Sequence, residues 1–135
     1  MRTIKGAILH YSETTEDKPF DVEDIRDWHV NGNGWSDVGY HYVIKLDGTI
    51  QDGRPISRTG AHCKGHNRGT VGICYIGGGI TEGKDTRTEE QKDSLIILLT
   101  DLINQHNITK ISGHNQYSTK KCPGFDVPSE YSHLI

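Results

Sequence analysis

Apolar residues cluster in this chain in short runs that end abruptly at polar or glycine positions, and their spacing predicts the elements. Ala7-Ile8-Leu9 is a continuous apolar run that reads as a buried strand delivering His10 at its end. Tyr40-His41-Tyr42-Val43-Ile44-Lys45 carries strand-forming side chains, and Asp47-Gly48 before Thr49-Ile50-Gln51 is a strong hairpin signal. Alternation within that strand predicts Tyr40 and Tyr42 on one face and His41 on the other. Residues 71–76 read as a further strand, closed by Gly77-Gly78-Gly79.

Two segments have helical periodicity instead. In residues 21–31 the acids Asp21, Glu23 and Asp24 suit a positive helix N-terminus, while Val22, Ile25 and Trp28 recur near helical spacing and Asn31-Gly32 stops the run. Trp28 is therefore expected in the core. The second helix opens at Thr88, where Thr88-x-x-Gln91 forms a capping box, and Leu95, Leu98, Leu99, Leu102 and Ile103 make one apolar stripe that Ile96 and Ile97 widen. Such a broad face predicts a helix packed on a sheet and partly covered. The element order predicts an α/β fold: one domain over residues 1–135, with a central mixed β-sheet flanked by helices.

Composition narrows the function classes. The chain has 135 residues, enough to bury a core without disulfide staples. Fifteen basic residues against eighteen acidic ones give a net charge of −3, too balanced for nucleic acid as the main partner. No segment approaches the roughly twenty apolar residues of a membrane span, and the N-terminus lacks the apolar stretch of a signal peptide. Synthesis in the cytoplasm without membrane insertion is expected. Three widely spaced cysteines without a C-x-x-C pair fit reduced thiols or a metal better than a disulfide framework.

His10, His114 and Cys122 are the candidate chemistry. His114 follows Ile111-Ser112-Gly113, and Cys122 comes a short loop later, before Pro123-Gly124. A structural zinc knuckle gathers four ligands locally, whereas a catalytic site more often takes three distant protein ligands and leaves one position open. Taken singly, each residue also reads as an ordinary hydrogen-bonded histidine or a small buried thiol; their joint context raises the metal reading. A competing motif is Gly78-Gly79-Ile80-Thr81-Glu82-Gly83-Lys84, which matches the phosphate-binding G-x-x-x-x-G-K. Asp85 stands where a hydroxyl should meet Mg²⁺, and the following helix starts at Thr88 rather than over the lysine, so nucleotide binding is not expected.

The chain resembles the zinc-dependent N-acetylmuramoyl-L-alanine amidases of the amidase-type phage lysozymes, relatives of the peptidoglycan recognition proteins. The matching pieces include Ile8-Leu9-His10-Tyr11-Ser12, Ile25-Arg26-Asp27-Trp28-His29, Gly34-Trp35-Ser36-Asp37-Val38-Gly39-Tyr40-His41-Tyr42, Ala61-His62-Cys63-Lys64-Gly65-His66-Asn67 and Lys120-Lys121-Cys122-Pro123-Gly124-Phe125-Asp126. They run in family order over nearly the whole chain.

The resemblance implies that one Zn²⁺ is held by His10, His114 and Cys122. It implies Tyr40 and Lys120 as catalytic side chains, and His62, Lys64 and Asn67 as lining for a muramyl or stem-peptide group. His41 is a candidate partner behind the metal ligands. Trp35 could be a cleft aromatic or packing, and Cys63 and Cys74 are expected to be inert thiols. Some peptidoglycan recognition proteins bind wall fragments without cutting them, having lost the cysteine ligand. With Cys122, Tyr40 and Lys120 present, the implied activity here is hydrolysis of the bond between N-acetylmuramic acid and L-alanine of peptidoglycan, by a monomer acting on the bacterial wall after release. Some phage members also inhibit an RNA polymerase, a contact for which this chain, beginning close to its first predicted strand, is not expected to carry the extension.

Overall fold

Burial on both faces explains why the apolar runs are unbroken. In the computed structural model, which describes residues 2–135, five strands form one mixed sheet. These are β1 (Gly6–Tyr11), β2 (Tyr42–Ile44), β3 (Ile50–Asp52), β4 (Thr70–Tyr75) and β5 (Lys110–Gly113), in the order β3-β2-β4-β1-β5. β1, β4, β5 and β2 run parallel, and β3 pairs antiparallel with β2 across the Asp47-Gly48 turn, where Gly48 has φ 89°. Central β1 is buried along its whole length because it has a parallel neighbour on each side.

Helices cover both faces, as the predicted α/β class requires. On one face, Ala7, Leu9 and Tyr11 of β1 and Val71, Ile73 and Tyr75 of β4 pack with Leu95, Leu98, Leu99 and Leu102 of the long helix. The other face has a smaller apolar cluster of Val22, Ile25, Val38, Val43, Cys74 and Ile76. α1 (Val22–Asp27) supplies its first two members, capped by Asp21 with a reciprocal Asp24 bond. α2 (Glu89–His106) begins at the expected Thr88-Gln91 capping box. Gln91 does more than cap: its amide nitrogen donates to the carbonyls of Ile44 and Ile76, so a fully buried polar side chain ties the helix start to β2 and to the end of β4. α3 (Val127–Tyr131) packs on β5 and completes the α2 side.

Three expectations are corrected. Trp28 is 39% exposed, not core. Trp28 keeps α-helical phase, its amide bonding the Asp24 carbonyl, but it closes α1 one turn past Ile25, where the chain passes into a π-helical turn over Trp28–Gly32 with no buried residue; its ring meets that of half-buried Phe20 edge to face, with centroids 5.3 Å apart. Ile96 and Ile97 are exposed, because α2 buries only the side that carries Leu95, Leu98, Leu99 and Leu102. Tyr40 and Tyr42 do not share a face. The regular strand starts only at Tyr42, and the bend at Tyr40-His41 turns Tyr40 into the α1-side cluster while Tyr42 joins the α2 side.

Arg87 locks the chain between β4 and α2 to α3. Its side chain is 1% exposed and bonds Asp85, Glu130 and the Tyr131 hydroxyl, with the guanidinium 3.4 Å from the Phe125 ring centroid. Burial pushes the Asp85 carboxyl up, but the hydrogen bonds and charge of Arg87 outweigh it and leave it below its ordinary value; the Arg87 hydrogen bond lowers Glu130 directly. Lowered folded-state values mean that this stabilisation is complete above the unfolded carboxylate range and is lost as pH falls through the folded values. Arg87→Ala should cost on the order of 2–3 kcal/mol near neutral pH, since both carboxylates keep some solvent. Chemical unfolding at a series of pH values should show the gap between wild type and variant narrowing below about pH 4; a gap independent of pH would contradict the ion-pair account.

Candidate active site

Strand register brings the distant residues together. Leu9 pairs with Gly113 and His10 with Cys74, so His10 near the end of β1 and His114 just past the end of β5 are neighbours, with ring centroids 4.7 Å apart. The loop after β5 returns so that the carbonyl of Cys122 accepts from the Asn115 amide at 2.7 Å. Cys122 Sγ then lies against β1, 3.2 Å from the Tyr11 amide, which donates to it. One donor atom from each of His10, His114 and Cys122 lies within 4.8 Å of the others. Around a zinc ion with Zn–N about 2.0 Å and Zn–S about 2.3 Å, donors stand up to about 4 Å apart, so an inward shift of the side chains by under about 1 Å would let these three share one ion.

Their electrostatic setting suits a cation. Burial, followed by the positive charges of His62, His114 and Lys120, holds the His10 imidazole well below its ordinary value, and burial with Lys120 lowers His114. Both rings are therefore neutral lone-pair donors at pH 7. Burial pushes the Cys122 thiol up to about 12, against the opposing pull of the Tyr11 amide and Lys120. A buried sulfur that already receives an N–H bond is a group that a bound metal cation would complete as a thiolate.

His114 and Cys122 line a cleft of about 570 Å³, with His10 buried beneath it. Tyr40 enters from the α1 side, its ring 5.1 Å from that of His10. Burial, then the neighbouring Cys74 and Cys122, raises the Tyr40 phenol well above its ordinary value, so it stays protonated. Lys120 and Lys121 both line the cleft. Their roles separate by reach: the charge of Lys120 acts on His10, His114 and Cys122, whereas the stem of Lys121 lies over Gly83, where an added Cβ would come within 2.3 Å of it.

The three residues assigned to substrate by resemblance occupy different positions. Lys64 is exposed and, with Asn67, lines a second hollow that shares Trp35, His62, His114 and Lys120 with the main cleft. The Asn67 side-chain oxygen accepts from the His62 and Cys63 amides, both at 2.8 Å, and so shapes the loop. His62 lines both hollows yet is only 8% exposed; its Nδ1 is 2.9 Å from His10 Nε2. His41 lies one step further back: its Nδ1 accepts from the Gly72 amide and its Nε2 donates to the Arg58 carbonyl, away from the triad. Cys63 and Cys74 are free and buried.

Sequence reasoning missed His29 and the strained rim. The π-helical turn after α1 carries His29 into the cleft, beside Trp35 and Tyr40, with Nδ1 accepting from the Gly39 amide. Trp35 is thus a cleft aromatic. Glu13 and Thr81, with φ 60° and 62°, also face the cleft, and nothing in residue type signals those backbone conformations. The Gly78–Lys84 segment is a turn whose lysine bonds Glu82, and the helix starts only at Glu89.

The chain is similar to known proteins over most of its length. The endolysin of Escherichia phage T7 is 39% identical over 121 residues, covering 88% of this chain and 80% of its own length. The endolysin of Enterobacteria phage T3 is 38% identical over 127 residues, covering 93% and 83%. The solved N-acetylmuramoyl-L-alanine amidase LysC from Clostridium intestinale URNW superposes with a TM-score of 0.81 at 31% identity, covering 96% of this chain and 82% of that one.

The cleft wall should be sensitive at Gly39, where a Cβ would lie 2.1 Å from the Ala61 carbonyl oxygen. Gly39→Ala should destabilise the fold by about 2–4 kcal/mol, measured by denaturant unfolding; an unchanged midpoint would contradict this packing. The model of the N-acetylmuramoyl-L-alanine amidase family matches residues 1–125, and the chain, with its two histidines and one cysteine gathered at a cleft, belongs to that family.

Proposed function

We propose that this chain is a zinc-dependent peptidoglycan hydrolase that cleaves the amide between the lactyl carbonyl of N-acetylmuramic acid and the L-alanine nitrogen of the stem peptide, acting on the bacterial wall as its phage relatives' name of endolysin suggests. The observation that supports it most is the approach of the His10, His114 and Cys122 donor atoms beside a cleft that Tyr40 and Lys120 also line. Zinc held by these three would supply a Lewis acid and make hydroxide available near neutral pH.

The chain's own groups account for the rest. As the carbonyl becomes tetrahedral its oxygen takes negative charge, and donors already fixed in a partly dry cleft stabilise such charge without reorganising. Tyr40, kept protonated by burial, offers an O–H. Lys120 brings an ammonium from the open side, where it is exposed enough to follow the substrate. The departing amine takes its proton from the site, and Trp35 and His29, their rings tilted 55° to each other, supply an aromatic wall against which a sugar or peptide can rest.

Purified sacculi test the reading directly. Mass spectrometry of the digest should find free stem peptides and intact glycan strands, and a chelator should abolish both until zinc is restored; cut glycan strands or chelator-resistant digestion would refute it. Cys122→Ser should lose zinc and activity together. Lys120→Ala should retain zinc while its turnover falls by about 100-fold, the scale of removing one oxyanion-stabilising donor. Turnover near the wild-type rate would remove Lys120 from the mechanism.

A further inference from the structure

His62 is joined to His10 through nitrogen, and the proton order of that contact can be worked out from its far end. The Thr70 hydroxyl donates to the His66 carbonyl at 2.7 Å, with the Asn67 carbonyl also in reach at 3.2 Å. Its single proton is therefore committed to a backbone oxygen. His62 Nε2 lies 3.3 Å from the same hydroxyl oxygen, which is left only a lone pair to offer, so Nε2 carries the ring proton. A neutral ring protonated there has a bare Nδ1. That atom, 2.9 Å from His10 Nε2, must accept, and His10 must donate. His10 is left with Nδ1 as its free lone pair.

The backbone has been shaped to hold this ring. Gly72 sits in the interior of β4, and a Cβ there would come within 2.5 Å of His62 Cγ. A Cβ on Gly60 would meet His62 Cδ2 at 2.8 Å. Glycine inside a strand weakens it and marks a close approach; here the close approach is made by an imidazole. The His10 and His62 rings meet edge to face, 89° apart, and the Asn67 oxygen fixes the His62 backbone.

The geometry points to His62 as a positioning residue: it accepts the Nε2 proton of His10 and so makes His10 present Nδ1 to a metal ion. This rests on the zinc reading above. It also gives His62 work behind the metal in place of, or alongside, contact with substrate. Hydrogen-bond partners of this kind fix ring direction and raise ligand basicity, and losing one weakens metal affinity by about 10–100-fold.

Three substitutions separate the acceptor from the ring. His62→Leu removes the acceptor, His62→Asn restores an oxygen near the position of Nδ1, and His62→Gln places its amide nearer to Nε2. Zinc affinity is read by competition with a chromophoric chelator, and the visible bands of the Co²⁺-loaded proteins report the coordination sphere. Leu and Gln should weaken zinc binding by about 10–100-fold, whereas Asn should recover most of the loss and the wild-type cobalt spectrum. Equal affinity in wild type and His62→Leu overturns the inference, as does an Asn variant as weak as Leu. Zinc binding that ignores His62 sinks this inference alone; a wild type that binds no zinc sinks the proposed function with it. Independent of any variant, ¹⁵N NMR of the metal-free wild-type protein should show His10 protonated at Nε2, and a proton on Nδ1 would contradict the assignment.

Discussion

The parallel register of β1 with β5, which sets Leu9 opposite Gly113, is the constraint on which the site depends. The next residue on each chain is a histidine, so one ladder step places both imidazoles at the same edge. Side chains alternate along a strand, and a slip of one residue would send His10 to the α2 side and bring Leu9 or Tyr11 into its place. The apolar residues on either side of His10 prevent that slip, because Leu9 and Tyr11 are buried against α2 while His10 is buried beneath the cleft. Fold and chemistry thus rest on the same alternation.

Buried polar groups elsewhere serve to hold that arrangement. Gln91 fixes the start of α2 to the carbonyls of Ile44 and Ile76, and Arg87 gathers Asp85, Glu130 and Tyr131 behind the loop that carries Cys122. On the opposite side, His41 reaches from the end of the Tyr40 bend to Arg58, and the Ala61 amide bonds the Gly39 carbonyl. The cleft wall is therefore pinned to the strand it faces. Gln91 and the Arg87 guanidinium are deeply buried and bonded to several partners, as expected where an unpaired polar atom is costly.

Much of this was legible in residue order. The capping box at Thr88, the turn at Asp47-Gly48 and the apolar runs of β1 and β4 are local signals, and each appears where expected. His10, His114 and Cys122 could be singled out because their residue types are unusual at the ends of such runs. What failed depended on phase. Helical spacing does not show where a helix leaves its apolar cluster, so Trp28, one turn past Ile25, was expected inside; a π-helical turn is invisible to a 3.6-residue period, so His29 went unremarked. The bend before Tyr42 reversed the face of Tyr40. The family resemblance marked His62 as a cleft residue, and it does line the cleft; that its nitrogens are also taken by His10 and Thr70 follows from a close approach at Gly72 and Gly60, which only three dimensions reveal.

The central claim is that two imidazoles and one thiolate of this chain hold a single zinc ion required for hydrolysis. Zinc K-edge absorption of the stoichiometrically loaded protein tests it most directly. The account predicts one sulfur at about 2.3 Å, with the remaining scatterers nitrogen or oxygen near 2.0 Å and outer-shell features of two imidazoles. A first shell without sulfur would contradict it.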